Sequence, residues 1–423
     1  MTASIPRRRG SVYLIVLGAA MVVALLSLSS LITLRVQRRS VQGTIESAEA
    51  RLYAQSAVEL GLQIIAEDPA WRSTYSSGSW ITDQQIGDGT FSLEGVDPAD
   101  ADLGDSQTDS LVLTGIGNKG RARQKVEVTL VPDLRGLSCL GSASHAGVNM
   151  TFSSSTTVDG TGTISVNDSM TATGNPVLNL PMEAVNSFAG SFGPGGTTSG
   201  VDPREMPDSA TVLDYYLANG TAIDVNTLPS DAGFRKIELV VLSPAANPYG
   251  SGQTNAEGIY VVDCLSQNLS IQDCRIVGTL VLLNPGPGTL VDGSVNWQPA
   301  VSNYPALLVQ GSATIRHSAG FQLGEGAPNN VNFNPTGTPY QGTEDSDQSD
   351  SYPSVIKGIV YVSGSVTLEQ DPAFDGAVIA GGSVNVNAYL TLDFGSYEDN
   401  PPPGFETSDM KIVPGSWRRS VDP

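Results

Sequence analysis

The sequence predicts a mainly β protein with one long N-terminal transmembrane α-helix, then a small antiparallel sheet, then a parallel, right-handed β-solenoid. Three observations predict it. Gly10 to Leu34 is a run of 25 residues without a charge, against the roughly 20 that a helix needs to cross a bilayer. Between residues 70 and 133, short strand-like segments alternate with turn signals. Beyond residue 140, short apolar strands recur with glycine corners at a spacing of 18 to 20 residues.

The helix comes first. Arg7, Arg8 and Arg9 precede the apolar run, and Arg35, Arg38 and Arg39 follow it. The balance of positive charge therefore leaves orientation open. From Val41 to Glu67 there is no proline, and apolar residues recur at three-to-four spacing: Ile45, Ala48, Leu52, Ala54, Val58, Leu60, Ile64 and Ile65. Pro69 is expected to end the helix, because its ring and missing N–H cannot continue one. A helix over 11–67 is roughly 85 Å long, half of it suited to lipid and half to water.

A basic leader ending in Gly10, a hydrophobic helix starting at Ser11, and the continuation Ala48-Glu49-Ala50-Arg51-Leu52-Tyr53-Ala54-Gln55-Ser56-Ala57-Val58-Glu59-Leu60-Gly61-Leu62 together resemble type IV pilin-like proteins, in particular the PilX/GspK branch of minor pilins and pseudopilins. The resemblance implies cleavage by a prepilin peptidase between Gly10 and Ser11, with methylation of the new terminus. It also implies partners: the inner membrane and other pilin or pseudopilin subunits. The family usually carries Glu at the fifth mature position, which here is Ile15. GspK-like tip subunits also lack that Glu, so the resemblance implies a tip or accessory place in a filament. A plain membrane anchor without processing accounts for the same run. A cleaved secretory signal fits less well, since the apolar region is long and Ser27-Leu28-Ser29 is a poor cleavage site.

Composition bounds what lies beyond the membrane. No acidic residue occurs in the first 40 positions, which hold six of the 22 basic residues, so the remainder carries about −27. That argues against nucleic acid as a partner and suits an extracytoplasmic, self-repelling surface. Cys139, Cys264 and Cys274 are an odd number without zinc-type spacing. They read as small buried side chains, with one optional disulfide.

After the helix, candidate strands Gly89–Leu93, Ser110–Gly115 and Ala122–Val131 make the antiparallel sheet of residues 68–135. Asn118-Lys119-Gly120 is its hairpin turn, and acidic turn residues run from Asp97 to Asp105. The sheet is expected to pack on the watery half of the helix, which otherwise has nothing to bury against. Pro132 to Gly136 marks a boundary. Within 136–400, Gly358–Leu368 aligns with Gly376–Val386 at an offset of 18, and Pro305–Ile315 fits the same template. Gly141–Thr151 fits it loosely, and Gly258–Val262 and Gly278–Leu282 begin two further units 20 residues apart. Units of this kind bury their apolar side only by stacking; an antiparallel sandwich is the alternative. Residues 176–257 and 327–353 are expected to be insertions, and 401–423 a Pro-rich cap in which Phe405 and Trp417 cover the last coil, or Trp417 meets a partner.

For chemistry, Asp263, Asp273 and Arg275 fall in neighbouring repeats and read either as a catalytic cluster or as a structural ion pair. His145 and His317 lack companions at metal-ligand spacing, and no G-x-S-x-G motif occurs. Asp345, Asp347 and Asp350, within the acidic run from Glu344, offer hard oxygens to Ca²⁺ but lack EF-hand spacing; a solvated loop is the simpler reading. The expectation is a structural, non-enzymatic, single-pass subunit of a type IV pilus or type II secretion system, with no required cofactor. The alternative is a membrane-anchored envelope module that binds or processes polysaccharide.

Overall fold

A computed structural model describes residues 10–68, 71–104, 109–133, 135–250, 252–407 and 409–420. The basic leader Arg7–Arg9 and Pro69 lie outside these. The chain forms two compact units, one of Met1–Leu134 with Ser408–Pro423, the other Arg135–Thr407.

In the first unit, helix α1 runs Gly10–Glu67 without interruption. Strands β1 (Gly78–Ile86), β2 (Gly89–Val96), β3 (Leu111–Lys119) and β4 (Ala122–Pro132) form an antiparallel meander. The β3–β4 hairpin turns at Gly120, whose φ of +57° is left-handed. Strand β1 was missed in the sequence: its Thr82-Asp83-Gln84-Gln85 stretch is exposed and its pairing with β2 is irregular, so no alternation marks it. The far half of α1 packs on the sheet through Ala50, Ala54, Ala57, Val58, Gly61 and Ile65. This stripe shares Ala54, Val58 and Ile65 with the one the spacing suggested, but Ile45, Ala48 and Leu52 are exposed. The reason is close approach. A Cβ on Gly115 or Gly117 of β3 would lie 2.0 Å from the carbonyl oxygen of Ala54 or Ala50, so small residues rather than bulky ones mark the contact.

The C-terminal segment does not cap the repeats. Met410–Ile412 and Arg418–Ser420 both pair antiparallel with β4 in the first unit, and Trp417, between them, is 40% exposed. Phe405 stays in the second unit, fully buried against Tyr361. The second unit is thus inserted between β4 and the last strands of the first.

The second unit is built on a sheet of 23 described strands, paired in parallel except for Ser230–Asp231 with Phe234–Glu238. It also carries a separate antiparallel pair, Gln322–Gly324 with Ser351–Pro353. Gly358 pairs with Gly376 and Val366 with Val384, both in parallel and both at the offset of 18. Leu307 pairs with Val360, and Ile259 with Thr279. These pairings exclude the antiparallel sandwich for this region. Ser144 pairs with Val378, one residue away from the loose alignment of Gly141 with Gly376; Gly147 packs on Gly381 rather than Gly382.

The winding is not sequential. Ser144–Ala146 pairs with Ile164–Val166, which pairs with Met182–Ala184, which pairs with Thr197–Ser199. The chain then leaves the ladder, forms a short helix at Asp214–Asn219, and rejoins at the opposite end, where Thr221–Ala222 pairs with Tyr260–Val261. Later turns pair back until Ala373–Ala380 and Val384–Asp393 meet 144–160. The first and last turns are therefore neighbours in the middle. Residues 176–257, expected as an insertion, carry most of the strands at both ends of the ladder. Their strands are only two to five residues long, too short to show a period. Residues 327–350 contribute no described strand to the parallel ladder.

One apolar cluster fills the interior: Tyr260, Leu280, Leu307, Val360 and Val378 face it. A second lies on the outer side of the same strands, where Ile259, Val281, Leu308, Ile359 and Ile379 meet Val212, Leu213, Tyr216, Leu140 and Phe405. Burial on both faces is why these strands read as unbroken apolar runs.

Candidate functional site: the exposed apolar half of α1

Residues Val12 to Val41 of α1 are all exposed. Leu14 is 72% exposed, Ile15 71% and Leu26 64%, and the helix is long and apolar enough to cross a membrane. Two of its hydroxyls are satisfied internally: Ser29 donates to the Leu25 carbonyl and Thr33 to that of Ser29. Such i−4 bonds let Ser and Thr sit in lipid without an orphaned polar group. Gly10 begins the described helix, and nothing is described of the Ser11 side chain. Ile15 is a bare aliphatic on the exposed surface. The first charges after the run are Arg35, Arg38 and Arg39, all exposed.

At the other end, the β3–β4 hairpin clasps the helix. Lys119 Nζ pairs with Glu49 Oε2 at 3.0 Å, the Arg121 amide donates to Glu46 Oε2, and Gln124 donates to Ser47 Oγ. One face of α1 is thus held from Glu46 onward, while the half before it is bare on every side.

The remaining candidates separate in space or turn inward. Asp263 is exposed and accepts from the Leu265 amide and Asn284 Nδ2. Asp273 accepts from the Ser294 amide, and burial raises its carboxyl. Arg275 is wholly buried. It donates to the carbonyls of Phe333, Thr338 and Pro339 with Tyr340 and Tyr352 beside it. Among the described residues Arg275 forms an ion pair with neither aspartate, because it turns to close the 322–353 segment. His145 and His317 are fully buried; burial lowers them to about 3 and about 4, so both are neutral. His145 Nδ1 meets Ser165 Oγ at 2.7 Å. The three cysteines are free and buried, the thiols of Cys139 and Cys264 pushed up to about 12 and that of Cys274 also raised.

Two groups of carboxylates converge. Asp345 and Asp350 come together with Glu325, a residue the sequence reading did not single out; Asp347 does not join them. Asp347 Oδ1 instead accepts from the amide and hydroxyl of Ser349. Glu325, wholly buried, accepts from the Phe333 amide, the Tyr352 hydroxyl and the Asp350 amide. Asn334 Nδ2 bridges Asp345 and Asp350. Desolvation and the neighbouring negative charges of Asp345, Glu325 and Asp347 raise the Asp350 carboxyl. The second group is Asp97, Asp100 and Asp109, on the β2–β3 connection.

No protein-family model matches the chain, and no curated protein does. Among solved structures, the chain is similar to the competence-associated pilin ComZ from Thermus thermophilus, at 10% identity and a TM-score of 0.33, over 89% of this chain and 98% of that one. It is also similar to an ice binding protein from an Antarctic Biological Consortium, at 14% identity and a TM-score of 0.24, over 61% of this chain and 89% of that one.

Proposed function

We propose that the protein is a membrane-anchored structural subunit of the minor pilin or pseudopilin type, in a tip or accessory position of a type IV pilus or type II secretion system. One observation carries this reading: a single unbroken helix is bare and apolar over its first half and packed on an antiparallel sheet over its second. The bare half holds the subunit in the inner membrane. There it packs sideways against like helices of partner subunits, which is how an apolar rod buries its surface once it leaves lipid. The Gly10-Ser11 junction is the processing site for a prepilin peptidase, and the sheet and second unit lie outside the cytoplasm. Ile15, which lacks the carboxylate most such subunits use to meet a neighbour's amine, favours an end position over a repeating one. The parallel unit is a β-solenoid of about 270 residues, a bulky load for a repeating shaft. Among the described residues of that unit, Phe321 and Tyr389 are the exposed aromatics; they make no row on which a glycan could stack, so a structural role, without catalysis, is preferred.

The test is Leu17→Cys in the native host. The native thiols are buried, so oxidation of membranes reports on position 17 alone. The expected product is a cross-linked species holding a second subunit with an apolar N-terminal helix. Exclusively monomeric protein would count against the proposal.

A further inference from the structure

Antiparallel pairing of Val96 with Val112 brings Asp97, just beyond β2, close to Asp109, two residues before β3. Asp100 joins them from the connection, and one carboxylate oxygen from each of the three lies within 4.8 Å of the others. Asp97 is only 2% exposed. Its Oδ1 accepts from the Ala99 amide at 2.7 Å, but its Oδ2 is buried with no hydrogen-bond partner. A buried carboxylate oxygen left unpaired is costly, and here two further carboxylates face it. Asp100 Oδ1 accepts from the Asp102 amide, and protein donors answer each carboxylate of Glu325, Asp345 and Asp350. Among the described residues of the two groups, Asp97 Oδ2 is the buried carboxylate oxygen left without a partner, although the neutral Asn334 Oδ1 is also unpaired in the other group. Asp102 spends its own Oδ1 on the Gly104 amide, and Arg72 donates to the main-chain oxygens of Leu103 and Asp109, which fixes the connection at both.

We propose that Asp97, Asp100 and Asp109 bind a calcium ion that pins the β2–β3 connection. The donors are all carboxylate oxygens, which select a hard cation. Ligand oxygens around Ca²⁺, at about 2.3–2.6 Å each, lie at most about 5 Å apart, a spread compatible with oxygens all within 4.8 Å of one another. Ca²⁺ also tolerates the irregular, flexible shell that a loop supplies. Asp100 is exposed and Asp109 half-buried, so the ion enters from solvent, and water completes its shell. The reading is independent of what α1 assembles with.

The experiment uses the full chain in detergent micelles, with Ca²⁺ alone as the probe. In wild type, calcium at about millimolar concentration, the range of extracellular modules, raises the melting temperature by a few degrees over chelator. Terbium gives saturable emission excited through tryptophan, displaced by calcium. Asp97→Asn keeps the acceptor for Ala99 but removes the buried charge. It is expected to melt at or above wild type in chelator and below it in calcium. Asp100→Asn, at an exposed position, loses at least tenfold in terbium affinity without a change in chelator. Asp345→Asn with Asp350→Asn retains wild-type terbium binding. No calcium shift in wild type, or terbium binding that survives Asp97→Asn and Asp100→Asn but disappears with Asp345→Asn and Asp350→Asn, overturns the proposal.

Discussion

A Cβ at Gly115 has no room beneath α1, and neither does one at Gly117. Gly115→Val or Gly117→Val therefore has to push the helix off the sheet, at a cost of about 1–3 kcal/mol or more. Denaturant unfolding of the first unit should show the loss, whereas Gly18→Ala, with open space around it, should leave stability unchanged. The two histidines set a pH dependence. Burial lowers both below the ordinary value of 6.5, so the unfolded chain takes up protons that the folded chain refuses. Stability is fully present above about pH 6.5 and is lost as pH falls towards 4, by up to about 1.4 kcal/mol per pH unit per histidine. Melting curves between pH 7 and about 4 check this, and His317→Gln should flatten the slope. Equal slopes in wild type and variant would show that the imidazoles do not govern it.

At the scale of elements, the 322–353 segment hangs on Arg275, whose guanidinium satisfies three carbonyls. Arg275→Met leaves those carbonyls unanswered in a dry site, at about 3 kcal/mol or more. Limited proteolysis should then cut between residues 325 and 353 while the parallel ladder stays resistant. Cleavage no faster than in wild type would show that the segment holds itself. This role was not legible in the sequence: Arg275 was read alongside Asp263 and Asp273, but its partners are main-chain oxygens some 60 residues away, which no side-chain pattern announces. The opposite case is the register of Gly358 on Gly376, which identical glycine corners and matching Val/Ile strands made readable. The helix was legible through its uncharged run. Its buried stripe was read in part: Ala54, Val58 and Ile65 lie in it as the spacing suggested. Ala50, Ala57 and Gly61 were passed over because small residues facing two glycines carry no hydrophobic signal, while Ile45 and Leu52 face outward. Asp97 and Asp100 were visible as turn residues, but their meeting with Asp109 depends on strand pairing.

For the whole molecule, the chain order hides a discontinuous first unit and a non-sequential second one. Nothing in the sequence ties 410–420 to β4 or the first turn to the last, since both are pairings across more than 200 residues. The ends of the insertion are nonetheless close within each unit. The Thr407 amide donates to the Arg135 carbonyl, and the Asp133 amide to that of Asp409. Residues 135–407 alone should therefore fold as a soluble, cooperatively melting protein with far-ultraviolet dichroism dominated by strand. The remainder, joined by a short Gly-Ser linker in place of 135–407, should still insert in membranes and keep its sheet. Aggregation of both pieces would mean that the two units depend on each other for folding.

The central claim is that the bare half of α1 is a processed rod that assembles sideways. The most direct measurement is the intact N-terminal peptide mass of protein extracted from the membranes of its own cell. The account predicts a chain starting at Ser11, with or without an added methyl group, and a Gly10→Val variant that keeps its leader. A native protein that still carries Met1 or the three leader arginines would contradict it.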